Sequence, residues 1–142
     1  MLGGVTIPSP KGLVGHSDAD VLVHALIDAL LGAASMGDIG KYFPDTDPKW
    51  KDARSIEMLK EIIRMLVEAG WLVSNVDCTV IAEEPRLAPY VPQMRESLAV
   101  ALNLEVDRVS VKAKTTEKMG FTGQGLGMEA HAVACLVRNP VA

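Results

Sequence analysis

Between Gly15 and Ser35 the chain reads GHSDADVLVHALIDALLGAAS, and no other stretch restricts its fold as tightly. Leu22, Ala25, Leu26, Ala29, Leu30 and Ala33 recur at helical spacing and make an apolar stripe. Ser17 suits an N-cap, and Asp20 three residues on completes a capping box, which predicts a helix from that point. Asp20, His24 and Asp28 stand at i, i+4 and i+8 and stack along one ridge. A helix start with free amides beside His16 and Ser17 also suits phosphate oxygens. The stretch is read as one wall of a site for a phosphorylated, metal-bound ligand.

The flanks supply the remaining layers. Met1–Val14 carries a strand-like fragment and turn residues, read as a short edge strand and a loop leading into the first helix. Gly37–Trp50 is a long loop rich in Asp, Gly and Pro, of the kind that is more often functional than packed. Ser55–Ala69 is a second helix with Ile56, Leu59, Ile63, Leu66 and Val67 on one side and Gly70 as its C-cap. WLVSNVDCTVIAEE reads as a strand with Val76, Cys78, Val80 and Ala82 on one face and Asn75, Asp77 and Thr79 on the other. Pro85, Pro89 and Pro92 make a structured turn, and Pro92 opens a third helix running to about Ala101. Val109–Lys114 and Ala130–Val137 are further strands, joined by the glycine-rich KTTEKMGFTGQGLG. The order β–α–α–β–α–β–β predicts a single α+β domain over residues 1–142, a small mixed β-sheet with helices packed on one face.

Composition removes several functions. A formal charge of -4 and 4% aromatic residues leave no basic stripe and no stacking platform, so no nucleic acid is expected. No apolar run is long enough to span a membrane, and a cytoplasmic location is expected, with a plastid-type one left open. Cys78 and Cys135 share no motif spacing and are read as buried free thiols.

The polar clusters each allow two readings. His24 is either a structural helix residue or a metal ligand whose second nitrogen rests on a carboxylate, and no second His or Cys stands at a usual ligand spacing. His16–Ser17 either begins a helix or holds phosphate. Asp38–Gly40 and Phe43–Asp47 are either turn chemistry or carboxylates that accept from ribose or polyol hydroxyls. Lys114–Lys118 is either a solvated turn or a ligand loop, in which Thr115 would donate to phosphate and Glu117 would hold Mg²⁺. The residues alone point to a metal-assisted enzyme acting on a phosphate ester.

Three segments together carry a longer signature: HSDADVLVHALIDALLGAASMGDIGKYFPDTD, NVDCTVIAEEPRLAPYVPQMR and VKAKTTEKMGFTGQGLG. From about Leu2 to about Val137 the chain resembles the 2-C-methyl-D-erythritol 2,4-cyclodiphosphate synthase family. The resemblance implies a homotrimer with sheets packed around the threefold axis and active sites between subunits. It also implies a phosphorus–oxygen lyase of non-mevalonate isoprenoid synthesis that turns 4-diphosphocytidyl-2-C-methyl-D-erythritol 2-phosphate into the cyclic diphosphate and CMP. Its implied cofactors are Zn²⁺, or another divalent transition metal, and Mg²⁺ or Mn²⁺.

Carried over by position, the resemblance makes His24 a zinc ligand and Glu117 the Mg²⁺ ligand. His16 and Thr115 would stabilise the transition state. Ser17 and Asp45 would contact the methylerythritol phosphate with Phe121 lining that pocket, Asp38 and Gly40 would hold the ribose, and Ile39 and Phe43 would also bind substrate. Ala82, Pro85, Arg86, Leu87 and Ala88, with Lys114, Thr115 and Thr116, would form the cytosine and diphosphate pocket. The family's N-terminal strand with an Asp-x-His pair has no counterpart in the sequence. The alternative expectation is therefore a catalytically impaired trimer that still binds cytidine nucleotides.

Overall fold

The helical periodicity after Asp20 becomes α1 (Val21–Ala33) in a computed structural model that describes residues 1–8, 20–50, 53–83, 85–115 and 127–140. The helix starts later than a Ser17 cap would place it. Asp20 is the N-cap, its backbone extended and its Oδ1 accepting from the Val23 amide at 3.0 Å. A carboxylate there satisfies an orphan amide and also meets the positive end of the helix dipole. Ser17 lies outside the described residues. The buried rows differ as well. Leu22, Leu26 and Leu30 are fully buried, but so are Val23, Ile27 and Leu31, whereas Ala25 and Ala29 are half-buried and Ala33 is exposed. The helix packs against both the sheet and α3 (Ser55–Glu68), so two rows of large side chains are needed to fill its surroundings.

In place of the edge strand expected near the N-terminus, the described residues hold a tight turn closed by paired Leu2 and Val5 hydrogen bonds of 2.8 and 2.9 Å. Gly3 and Gly4 sit at φ of 57° and 77°, conformations open to glycine. Their amides both point at Asp20, Gly3 N to Oδ1 at 2.9 Å and Gly4 N to Oδ2 at 2.8 Å. That turn seats Leu2 fully inside the core. The stretch from Gly37 to Trp50 is also more ordered than a loop, containing the short helix α2 (Ile39–Tyr42) and a 3₁₀ turn at Pro48–Trp50.

On α3, Ile56, Leu59 and Leu66 are buried as the periodicity predicts. Val67 is 44% exposed and Ile63 half-buried, their expected places being taken by Met58 and Ile62. The apolar face thus packs against α1 and α4 (Val91–Leu102). Gly70, just past the helix, has φ of 91° and reverses the chain into β1 (Trp71–Ile81).

Strand β1 is the centre of a three-stranded mixed sheet. It pairs in parallel with β2 (Val109–Lys114) and antiparallel with β3 (Glu129–Arg138), with a register shift between Val73 and Asn75. α4, with a proline in its first turn, makes the crossover from β1 to β2. Alternation then sorts the side chains. Val76, Cys78 and Val80 share the core face with Val109, Val111 and the alanines Ala130, Ala132 and Ala134. The helices cover that face. Asp77, Thr79, Ser110, Lys112, His131, Val133 and Cys135 share the opposite, open face. Cys135 is therefore exposed, not buried, because its register places it on that face, while Cys78 is buried as expected. The α+β architecture with a small mixed sheet and helices on one face is what the patterning predicts. Among the described residues no helix is long and apolar enough to cross a membrane.

Candidate functional site

The ridge of Asp20, His24 and Asp28 on α1 divides into three separate tasks. Asp20 is fully buried in the N-terminal turn. Asp28 Oδ1 accepts from the Ile39 amide at 2.7 Å, which ties α1 to the first residue of α2. His24 alone lines a cavity of about 560 Å³. Its Nε2 lies 3.0 Å from Oγ of Ser55, the first residue of α3, whose side chain is fully buried.

The cavity is walled by the segment between α1 and α3. Ile39, Gly40, Phe43 and Asp45 line it together with His24, as do Trp50 and Met58. Phe43 is held by an edge-on contact with Trp50, ring centroids 4.6 Å apart. Asp38 stands just outside as the N-cap of α2, with one carboxylate oxygen accepting from the Lys41 amide at 3.1 Å. A Cβ added at Gly40 would meet nothing nearer than Asp38 Oδ1 at 3.6 Å, so the chain's own packing does not demand glycine there. Carboxylates, backbone and aromatic edges around one depression suit a polyhydroxylated ligand.

A second group gathers at the C-terminal ends of the two parallel strands, a position loops commonly use for ligands. The Ala82 amide donates to the Lys114 carbonyl at 3.1 Å, extending the ladder one rung beyond β1. Ala82 and Leu87 are buried and anchor the loop, Pro85 is half-buried, and Arg86, Ala88, Lys114 and Thr115 are exposed. His24, Ile39, Gly40, Phe43 and Asp45 share the cavity, whereas the Ala82–Ala88 and Lys114–Thr115 group is not among its lining. His16, Ser17, Thr116, Glu117 and Phe121 lie outside the described residues. Among the described residues, no three His, Cys, Asp or Glu side chains converge to hold a metal ion.

Trp50, Met58 and Ser55 are parts of the site that sequence reading leaves out. Met58 and Ser55 belong to the buried face of α3, where periodicity marks them as packing residues. Only a tertiary contact between α1 and α3 reveals their second role.

A small α+β domain with a polar cleft beside a mixed sheet is a fold shared with solved enzymes. The bifunctional IspDF from Campylobacter jejuni superposes with a TM-score of 0.92 at 44% identity, over 97% of this chain and 37% of that longer one. A 2C-methyl-D-erythritol-2,4-cyclodiphosphate synthase in a CDP-bound form superposes with a TM-score of 0.86 at 37% identity, over 96% of this chain and 89% of that one. In sequence, the 2-C-methyl-D-erythritol 2,4-cyclodiphosphate synthase of Moorella thermoacetica is 58% identical over 137 residues, 96% of this chain and 84% of its own. The model of the YgbB family matches residues 1–137, and the chain belongs to that family.

Proposed function

We infer that the chain is a phosphorus–oxygen lyase that converts 4-diphosphocytidyl-2-C-methyl-D-erythritol 2-phosphate into 2-C-methyl-D-erythritol 2,4-cyclodiphosphate and CMP. The observation that carries this reading is 58% identity, over 96% of the chain, to a relative named for that synthase. The relatives support this reading and not the catalytically impaired alternative. In the reaction, an oxygen of the 2-phosphate attacks the β-phosphorus, the bond to the CMP oxygen breaks, and the new P–O bond closes the ring. Such a transfer is catalysed mainly by positioning and by stabilising charge on the phosphoryl oxygens.

In this reading Asp38, Ile39 and Gly40 hold the cytidine ribose, and the open space above Gly40 lets the sugar approach the backbone. Phe43 and Asp45 receive the methylerythritol portion with Ser17 and Phe121. Ala82, Pro85, Arg86, Leu87, Ala88, Lys114 and Thr116 receive the cytosine and diphosphate, and His16 and Thr115 stabilise the transition state. His24 would hold zinc and Glu117 would hold Mg²⁺, supplying Lewis acidity toward phosphoryl oxygens.

The same proposal includes a cytoplasmic homotrimer whose active sites lie between subunits. The open sheet face supports it: Val133 is 67% exposed and Val137 49% exposed on the strand that borders it. Two groups of site residues on separate parts of one chain are also what an intersubunit site requires.

Calorimetry with CDP tests the ribose assignment. Asp38→Ala should weaken CDP binding by about tenfold, the loss of one charged hydrogen-bond acceptor, in a protein of unchanged assembly. Undiminished affinity would remove Asp38 from the site.

A further inference from the structure

We propose that Ser55 is the positioning residue of His24, fixing Nε2 toward the protein and leaving Nδ1 as the nitrogen that serves the cavity. This rests on the reading of the cavity as the reactive site. Ser55 begins α3 and is fully buried, an uncommon place for a polar side chain without a task. Its Oγ lies 3.0 Å from His24 Nε2, across a separation of 31 residues, so the contact exists only because α1 and α3 pack together. No hydrogen bond to the other ring nitrogen, Nδ1, occurs among the described residues, and His24 lines the cavity.

The bond also sets the tautomer. One nitrogen of a neutral imidazole donates and the other accepts, and the partner of the first determines what the second can do. Neutral imidazole prefers its proton on Nε2, and a serine hydroxyl, with two lone pairs, can accept it across the 3.0 Å contact. Nδ1 then keeps its lone pair for a proton, a cation or an electrophilic centre in the cavity. Through Ser55 the ring is held against rotation, as the outer partners of functional histidines commonly do. Ser55 touches no reacting atom in this account.

Nitrogen-15 NMR of the imidazole in the purified chain, in alkaline buffer, reads the tautomer directly. The expected wild-type spectrum has His24 protonated at Nε2, and a proton on Nδ1 would overturn the proposal. Ser55→Ala, verified as folded by its thermal transition, should mix the tautomers and lower kcat on the order of tenfold with CDP affinity unchanged. Ser55→Thr, which keeps the hydroxyl, should restore both signals. An unaltered tautomer and kcat in Ser55→Ala would sink the idea. His24→Ala separates the two levels: full turnover there would refute the role of His24 in the reaction, while the NMR result would still judge Ser55.

Discussion

Asp28 Oδ1 lies 2.7 Å from the amide of Ile39, so a carboxylate midway along α1 holds the first residue of α2. The bond fixes the short turn from Asp38 to Gly40 relative to the histidine one helical turn earlier. A four-residue helix does not persist on propensity alone and needs such an anchor. Asp28→Ala should loosen the turn and weaken CDP binding by roughly fivefold, about 1 kcal/mol, below the full value of a charged hydrogen bond because Asp28 is exposed. Asp28→Asn keeps an acceptor and should bind CDP nearly as wild type. Equal affinities for the Ala and wild-type proteins would show that the anchor is not needed.

Much of the fold was legible because periodicity is written locally. The alternation through Val76, Cys78 and Val80 gave β1 and its core face, the helical repeats gave α1 and α3, and Pro92 gave the start of α4. The misses share a physical cause. Ser17 and Asp20 are both good caps by type, and what selects Asp20 is the approach of Gly3 and Gly4 from 16 or 17 residues away. Cys135 is apolar by type, yet strand parity places it on the open face. In the site, Asp38–Asp45 announced itself through turn chemistry and motif length, whereas Ser55 looked like the first residue of an amphipathic helix and nothing more.

Asp20 closes three amides at once, those of Gly3, Gly4 and Val23. Asp20→Ala removes the cap and leaves buried donors unsatisfied, costing about 2–4 kcal/mol. Thermal unfolding should then fall by roughly 5–15 °C, at about 2–4 °C per kcal/mol for a chain of this size. Gly3→Ala should destabilise independently, since φ is 57° and the new Cβ would stand 2.9 Å from Met94 Cγ. A melting temperature unchanged in both variants would show that the N-terminal turn contributes nothing.

The two thiols should behave differently. Burial, with the Asp77 charge adding to it, pushes the Cys78 thiol up to about 12, although the Lys112 ammonium opposes the shift. Cys78 should resist alkylation near pH 8 in native protein and react only after unfolding. Its neutral form is favoured by the fold, so the unfolded chain ionises first. Its contribution is fully present below the ordinary value of 9.0 and is lost as pH rises from there toward about 12. Cys78→Ala should remove that part of the alkaline loss, seen by denaturant melts across the range; an identical pH profile would contradict it.

The open sheet face carries its own prediction. Val133→Glu adds a charge to a side chain that is 67% exposed in the single chain, so the fold should keep its stability to within about 0.5 kcal/mol. Burying three such charges at a threefold contact would not be tolerated. Sedimentation should therefore show a trimer for the wild type and a folded monomer for Val133→Glu. A trimer in both would move the interface elsewhere.

The most direct measurement is phosphorus NMR of the purified chain with 4-diphosphocytidyl-2-C-methyl-D-erythritol 2-phosphate, Mg²⁺ and Zn²⁺. Cyclic diphosphate and CMP should appear in equal amounts as the substrate disappears. Linear phosphates in place of the ring, or substrate left intact by a protein that still binds CDP, would contradict the assignment.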